Sequence, residues 1–147
     1  MKNKYEIVEA GTKIMLADEF NNMHCILVSK KSVIIYANGN HRNDWKIIID
    51  EEYFSKVDNA ITGHWYVSVC QGTIYAKFCQ RNNNIRKYIL MHRLIVDCPN
   101  DLVVDHDPHH YGLDNRVENL EAKTAKENNC NQLKGKAKTL QYIRNID

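Results

Sequence analysis

The sequence predicts an α+β protein in which an antiparallel β-rich N-terminal region precedes a small strand, loop and helix unit. Short apolar runs rich in Ile and Val recur between turn residues as far as Leu90, which is typical of strands. Further along, Val103-Val104-Asp105 is another short apolar run, and Thr124-Ala125-Lys126-Glu127 has the S/T-x-x-E form of a capping box. We therefore expect a strand ending near Asp105 and a helix beginning at Thr124.

The first predicted region covers residues 1–58. Its apolar runs predict strands at 14–16, 25–28, 33–36 and 47–49, with turns at 29–31 and 38–40. Asp50-Glu51-Glu52 then opens a short predicted helix through Val57, because acidic side chains favour the positive end of a helix. This region is expected to be β-rich, with one short helix at its end.

The second predicted region, residues 59–90, should form a three-stranded antiparallel sheet. Its runs at 64–69, 73–78 and 87–90 are separated by turn residues at 71–72 and 82–84. In the middle strand, Ile74, Ala76 and Phe78 share one face, which leaves Tyr75 and Lys77 on the other. Two readings stay open for that second face: contact with DNA, or simple packing on the unit that follows.

The charge distribution favours a nucleic-acid partner more than the net charge does. The formal net charge is only +2, but no Asp or Glu occurs between Asn59 and Val96. Basic residues placed against phosphates release counterions, so affinity for nucleic acid would fall steeply with salt. Two basic groups are the candidate nucleic-acid contacts, in addition to Arg93 and Arg144: Lys77, Arg81, Arg86 and Lys87, then Lys134, Lys136 and Lys138.

Other patterns exclude several classes of protein. No apolar run approaches the roughly 20 residues of a membrane span, and the N-terminal residues lack the apolar core of a signal peptide. The five cysteines are odd in number and contain no C-x-x-C pair, which argues against a disulfide framework or a structural zinc site. We therefore expect a cytoplasmic protein, in the host cytoplasm if a phage encodes it, with reduced thiols and no membrane contact.

The third predicted region, residues 91–135, carries the residues suited to hydrolysis. Asp105-His106 ends the predicted strand, and Asp107-Pro108 breaks it, so the two side chains can converge on one phosphate there. A neutral histidine can take a proton from water, while a hard divalent cation can polarise a phosphate. Magnesium takes oxygen ligands and keeps several waters, so one carboxylate and one amide suffice as protein ligands.

These residues resemble the HNH family of nucleases, in particular the group that includes homing endonucleases. The family pattern is a D-H pair, a loop ending in D-N-R, then E-N-L, a short strand, and T-x-x-E-N-N on a helix. The matching segments here are 105–106, 114–116, 118–120 and 124–129, and Met91-His92-Arg93-Leu94-Ile95 is similar to the segment that precedes the motif. The resemblance covers residues 88–131 and implies a ββα-metal (His-Me finger) nuclease core.

Carried over to this chain, the resemblance implies a role for each matching residue. His106 would be the general base, Asp105 and Asn128 the ligands of Mg²⁺, Mn²⁺ or another divalent cation, and Asn119 the brace of the catalytic loop. His92 and Arg93 are further catalytic candidates. For His92 a hydrogen-bonded core histidine is the alternative, and for Arg93 the choice lies between a phosphate contact and a structural ion pair. The loop with His109 and His110 is a residue longer than the family's common form, so each histidine is either an idle loop residue or an auxiliary ligand.

The function that follows is a metal-dependent endonuclease, a hydrolase that cuts double-stranded DNA and leaves a 5′ phosphate and a 3′ hydroxyl. A monomer would nick DNA, whereas a homodimer could cut both strands. Residues 136–147 form a basic tail, too short for a further recognition module. Two alternatives stay open: a catalytically inactive DNA-binding regulator derived from a nuclease, and an interaction protein without nucleic acid.

Overall fold

The computed structural model of the chain describes residues 2–70, 72–107 and 111–127. Strands make up about half of it, and a mixed, curled sheet forms a half-barrel that a few short helices accompany. The protein is therefore mostly β, in agreement with the predicted β-rich region. The described strands are β1 (Tyr5–Val8), β2 (Lys13–Ala17), β3 (Met23–Leu27), β4 (Ser32–Gly39), β5 (Arg42–Asp50), β6 (Tyr66–Cys70), β7 (Thr73–Asn82), β8 (Ile85–Leu90), β9 (Val103–His106) and β10 (Leu120–Lys123).

Strand β4 organises the six-stranded sheet. It pairs antiparallel with β1 and β5, and it pairs in parallel with β6 through Asn38 and Gly39. A Cβ on Gly39 would lie 2.3 Å from the carbonyl oxygen of Val67, so only glycine allows β6 to approach this closely. The sheet continues through β7 and β8, which joins the first two predicted regions in one sheet.

All the strands predicted in the first 90 residues are present. The meander of β6, β7 and β8 is antiparallel, as expected, and β2 pairs with β3 in a separate hairpin. Strand β1 was not among the predicted strands, because its four residues are too short a pattern and only Val8 among them is buried. The parallel contact between β4 and β6 was also not foreseen.

Four short helical segments lie between the described strands. A 3-10 turn at Glu51–Tyr53 leads into helix α1 (Phe54–Asn59), which confirms the helix predicted after Asp50. Helix α2 (Met91–Ile95) packs against β7, and a second 3-10 turn spans Val117–Asn119. No helix in the described ranges is long and apolar enough to span a membrane.

The core lies against β4 and β5. Val33, Ile34 and Ile35 are all buried, as is the Ile47-Ile48-Ile49 run, because both faces of these strands are covered. Each buried side chain of this size contributes about 1.5–3 kcal/mol relative to exposure. These two buried strands support the candidate site.

The segment 111–119 docks on β5 by backbone hydrogen bonds. The amide of Ile48 donates to the carbonyl of Leu113 at 2.9 Å, and the amide of Asn115 donates to the carbonyl of Ile48 at 2.8 Å. At the far end of β5, the carboxylate of Asp50 accepts from the amide of Val117 at 2.9 Å. The loop between β9 and β10 is thereby held to the main sheet.

The predicted strand and helix start after residue 100 are both present. Strand β9 pairs antiparallel with β10, and Ala125–Glu127 are helical. The capping box is complete, because the Thr124 amide donates to the Glu127 carboxylate at 3.3 Å and the Glu127 amide donates to the Thr124 hydroxyl at 3.2 Å. A two-stranded hairpin is thus followed directly by a capped helix start.

Candidate functional site

Strand β9 ends on the Asp105-His106 pair that the sequence singled out. Alternation along the strand sends the two side chains to opposite faces of the hairpin. Asp105 is 3% exposed, and His106 is half-buried. The carboxylate and the imidazole can therefore reach one phosphate only if they approach it from different faces of the hairpin.

On the Asp105 face lies a group that we call the acid–lysine cluster: Asp105, Asp107, Glu121 and Lys123. The Lys123 ammonium lies 3.0 Å from Asp105 Oδ2, 3.5 Å from Glu121 Oε2 and 3.7 Å from Asp107 Oδ2. The hydrogen bond with Asp105, together with attraction from the three carboxylates, raises the pKa of Lys123. Lys123 is therefore a firmly charged cation held among oxygen ligands.

The donor chemistry of this cluster fits a hard divalent cation, which takes carboxylate oxygens and water. Within the described ranges, no group of three His, Cys, Asp or Glu side chains is arranged to hold a metal. Asn128, the implied second ligand, lies outside the described residues, as do His109 and His110. Of the two implied ligands, the structure therefore describes only Asp105, and the metal site stays a prediction.

On the opposite face, His106 pairs with Asn115. The distance from His106 Nε2 to Asn115 Oδ1 is 2.8 Å, and Asn115 is fully buried. With the amide oxygen facing the ring, Nε2–H donates to Asn115, and a neutral His106 then carries its lone pair on Nδ1. This is the tautomer in which Nδ1 can act as a base.

The backbone of the loop that carries Asn115 is held by Asn119. Asn119, also fully buried, donates its amide to the carbonyl of Asp114 at 3.0 Å, and its own carbonyl accepts from the Asp107 amide at 3.0 Å. Asn119 therefore ties the end of β9 to the loop that carries Asn115. The bracing role that the resemblance implies for Asn119 stays a prediction.

A buried ion pair holds the same loop. Arg116 contacts both oxygens of Asp114, with Nε at 2.8 Å from Oδ1 and one terminal nitrogen at 2.9 Å from Oδ2. Another terminal nitrogen lies 2.8 Å from Glu118 Oε1, and Asp114 is fully buried. The D-N-R segment is thus mostly structural, with Asn115 facing the histidine between two residues that anchor the backbone.

His92 lies between His106 and the main sheet. Its ring centroid is 5.3 Å from that of His106 and 6.5 Å from that of Tyr75. Its Nδ1 is buried without a hydrogen-bond partner among the described residues, and burial, then the charge effects of His106 and Arg93, lower its pKa to about 3. His92 is therefore a neutral imidazole that packs on the candidate base.

Arg93 is committed to the loop that follows α2. Its guanidinium donates to the carbonyls of Leu102 and Pro99, both at 2.8 Å, and approaches that of Cys98 at 3.5 Å. In the described chain Arg93 takes part in no ion pair, and its contact with phosphate stays a prediction. These hydrogen bonds hold the segment between α2 and β9 and so position the start of β9.

The predicted basic residues of the meander divide between two faces. Pairing of Lys77 with Leu90 and of Arg81 with Arg86 places these three basic side chains on one face with Tyr66 and Tyr88. We call this set the basic face. Lys87 pairs with Gln80 and lies on the other face, near the tip of the hairpin. Lys134, Lys136 and Lys138 lie outside the described residues.

The basic face leads towards the candidate base. Lys77 Nζ lies 4.5 Å from the ring centroid of Tyr88, and Tyr66 and Tyr88 are 41% and 49% exposed. Tyr75 belongs to the same face of β7 and touches His92, which in turn touches His106. Tyr75 is therefore the residue that connects the face carrying these cations and aromatic rings to the histidine pair.

Sequence reasoning assigned no role to Asn115 or Lys123. Asn115 stood inside the D-N-R match, and that match was the available signal. Lys123 had only the alternation of Glu121-Ala122-Lys123, which places an acid and a base on one face of a strand. Neither pattern indicates which residue of β9 the side chain contacts.

Comparisons of the chain with protein-family models, with curated proteins and with solved structures give no match.

Proposed function

We propose that this chain is a divalent-metal-dependent endonuclease of the HNH type that hydrolyses double-stranded DNA, with residues 91–135 as a ββα-metal core. The observation that carries the proposal is the hairpin of β9 and β10, which presents Asp105 and His106 at one strand end and runs directly into a capped helix start. Asn119 bracing the intervening loop adds support.

In this proposal, the chain's own residues prepare the base and hold the substrate. Asn115 holds His106 in the tautomer whose Nδ1 takes the proton from the attacking water. Neutral His92 packs against the ring and keeps that side of the imidazole away from water. A divalent cation held by Asp105 and Asn128 would polarise the phosphate and stabilise the departing oxygen.

The basic face supplies the contact with DNA. Lys77, Arg81 and Arg86 would pair with successive phosphates, which position a duplex without reading its sequence. Because this face adjoins the histidine pair through Tyr75, a bound backbone could continue towards His106. Binding with weak sequence preference is the expected outcome.

The alternative function, a DNA-binding regulator without cleavage, is favoured by one observation. Lys123 neutralises Asp105 directly, at 3.0 Å, and a protein that no longer needed a metal could keep such an ion pair for stability. In this alternative the basic face would still bind DNA, and chelators would have no effect.

A plasmid-nicking assay separates the two functions. The wild type should nick supercoiled plasmid in Mg²⁺ and stop when EDTA is added. His106→Ala should lose turnover and keep DNA binding, whereas His64→Ala, which removes an exposed histidine far along the chain, should behave as the wild type. Nicking by His106→Ala at the wild-type rate would refute the assignment of the base, and no nicking by the wild type would favour the regulator.

A further inference from the structure

We propose that the basic face also binds a single DNA strand, with unpaired bases stacked on the rings of Tyr66 and Tyr88. The cations of the face pair with the phosphates between those bases. This inference rests on the proposed function, since it names the form of DNA that the aromatic residues of the same face recognise. It predicts that bases, and not only phosphates, contribute to binding wherever a strand is unpaired.

The two tyrosines lie on either side of Lys77. Tyr66 is paired with Lys77 across β6 and β7, whereas Tyr88 is paired with Cys79 and lies diagonally from Lys77 on β8. The Lys77 ammonium lies 4.5 Å from the centroid of the Tyr88 ring. Although both tyrosines belong to paired strands, Tyr66 is 41% exposed and Tyr88 is 49% exposed. Two accessible rings are thereby placed around one cation.

The spacing of the two rings suits a strand that crosses the sheet. Strands β6 and β8 are separated by β7, and Tyr88 is displaced from the row of Tyr66 by two residues. From the usual strand spacing and rise per residue, the two Cα atoms are roughly 12 Å apart. This separation leaves room for a phosphate beside Lys77, between a base on Tyr66 and a base on Tyr88.

Arg81 and Arg86 extend the face with two like charges placed directly opposite each other. Such a pair destabilises a sheet, because the two guanidinium groups repel. No Asp or Glu occurs between Asn59 and Val96, and no ion pair among the described residues involves either arginine. An anion between the two groups would remove the repulsion, and a nucleic-acid strand supplies one at each phosphate.

The exposed rings favour unpaired bases as their partners. In a duplex the flat faces of the bases are covered by their neighbours, and the outer surface offers phosphates and sugars, which cations bind without help from aromatic rings. In a single strand every base has a free face, and stacking on an aromatic side chain is tolerant of sequence. A sheet face with accessible rings, several cations and no acidic side chain is therefore matched to a single strand.

The first test separates bases from phosphates. The full chain is titrated in EDTA into a fluorescein-labelled oligothymidylate of about 12 nucleotides, and fluorescence anisotropy reports binding. An abasic strand of the same length carries the same phosphates, and the wild type should bind it about tenfold more weakly than oligothymidylate. Equal affinity for the two strands overturns the proposal, and tighter binding of oligouridylate than of oligothymidylate overturns its assignment to DNA.

Substitutions of Tyr88 test which ring the bases use. Tyr88→Ala should weaken binding of oligothymidylate about tenfold and change binding of the abasic strand or of a duplex by less than about twofold. Tyr88→Phe keeps the ring and should bind as the wild type does. Tyr5→Ala is the matched control, because Tyr5 is a 53% exposed tyrosine on β1, outside the basic face. Equal losses of oligothymidylate and duplex binding by Tyr88→Ala would show that the ring acts through the fold, and the proposal would be wrong.

Fluorescence supplies a second readout that does not depend on the loss of a side chain. Trp45 and Trp65 are the two tryptophans of the chain, and they are 3% and 2% exposed. Tyr88→Trp introduces an accessible indole, whose emission should be quenched when a base stacks on it. Saturating oligothymidylate should quench that emission, and the abasic strand should leave it unchanged. Absence of quenching by oligothymidylate also overturns the proposal.

Failure of this inference and failure of the proposed function are distinguishable. If the wild type nicks plasmid in Mg²⁺ but binds oligothymidylate and the abasic strand equally, only the stacking on Tyr66 and Tyr88 is lost. If oligothymidylate binds as expected but the plasmid is not nicked, the stacking stands and the nuclease proposal fails.

Discussion

The Nε2 of His106 lies 2.8 Å from the Oδ1 of Asn115, a fully buried amide on the loop between β9 and β10. The contact joins a strand end to a loop that is itself hydrogen-bonded to Ile48 of the central sheet. The orientation of the imidazole is therefore fixed by the core of the protein and does not depend on the hairpin alone.

Asn115→Ala should lower the rate of plasmid nicking about 10- to 100-fold, the range found when a residue that orients an active-site histidine is removed. DNA binding should be unchanged, and Asn100→Ala, at an exposed loop position, should nick as the wild type does. Long-range ¹H–¹⁵N NMR of His106 provides a direct check. It should show the proton on Nε2 in the wild type, and a proton on Nδ1 would contradict the assignment.

The Asp114–Arg116 ion pair should be worth far more than a surface pair of the same spacing. Asp114 is fully buried and Arg116 is 4% exposed, so Asp114→Ala removes the carboxylate that holds Nε and one terminal nitrogen of the guanidinium and leaves Glu118 as its remaining acidic partner. The substitution should cost about 3 kcal/mol, the lower end for breaking a buried ion pair. The matched control is Asp44→Ala, which removes an exposed carboxylate 3.2 Å from Arg42 and should cost less than about 1 kcal/mol. Urea denaturation measures both, and equal losses would show that burial does not set the strength of the pair.

Gly112 is where the site loop touches the main sheet most closely. A Cβ there would lie 1.6 Å from the carbonyl oxygen of Ile74, and neither backbone can yield easily. Gly112→Ala should therefore cost about 3 kcal/mol, at the upper end for overpacking, and should loosen the contact between His106 and Asn115. Gly11→Ala is the comparison, since a Cβ at that position meets no atom and only its positive φ is strained. A smaller loss for Gly112→Ala than for Gly11→Ala would mean that the loop is not held against β7.

The elements that could be predicted from the sequence are those with a local residue pattern. Val33-Ile34-Ile35 and Ile47-Ile48-Ile49 are continuous apolar runs because both faces of β4 and β5 are buried, and the Thr124 capping box is a four-residue pattern. The parallel contact of β4 with β6 rests on two residue pairs, Asn38 with Tyr66 and Gly39 with Val67, which have no periodicity to read. It was therefore missed.

The candidate site was also predicted only in part. Asp105, His106 and Asn119 followed from motif spacing, whereas the partners that fix them did not. Asn115 meets His106 because its loop is bonded to Ile48, and Lys123 meets Asp105 because of the register between β9 and β10. Both relationships are set by tertiary pairing, which no single stretch of sequence encodes.

His92 should make the folded state sensitive to mild acid. Burial first, then the charges of His106 and Arg93, lower its pKa to about 3, from an ordinary value of 6.5 in the unfolded chain. Between those values the unfolded state binds a proton that the folded state does not, so stability falls as the pH drops through this window and is unaffected above it. At pH 5 the loss is about 2 kcal/mol relative to pH 7.5.

The variant that tests this is His92→Leu, which is apolar and has no proton to gain. Its free energy of unfolding should fall between pH 7.5 and pH 5 by about 2 kcal/mol less than that of the wild type. Because Nδ1 of His92 has no hydrogen-bond partner in the described chain, the substitution should cost little at pH 7.5. Identical pH dependence in the two proteins would mean that His92 is solvated or charged in the fold.

The basic face should dominate the salt dependence of DNA binding. Arg81 and Arg86 are paired across β7 and β8, are both exposed, and lie on the face shared with Lys77. If each pairs with one phosphate, Arg81→Gln with Arg86→Gln should weaken binding at low salt and reduce the slope of log K against log salt by about 1.8, since each phosphate contact contributes about 0.9.

Lys87→Gln tests whether DNA contacts the basic face specifically or is attracted by positive charge anywhere on the hairpin. Lys87 carries the same charge and lies on the same hairpin, but it pairs with Gln80 and lies on the opposite face. Its loss should leave the slope unchanged to within a few tenths, because a cation that contacts no phosphate releases no counterion. Filter binding of a short duplex across a series of salt concentrations gives both slopes. If Lys87→Gln lowers the slope as much as either arginine substitution alone, DNA does not distinguish the two sides of the hairpin, and the path from the basic face through Tyr75 and His92 to His106 loses its support.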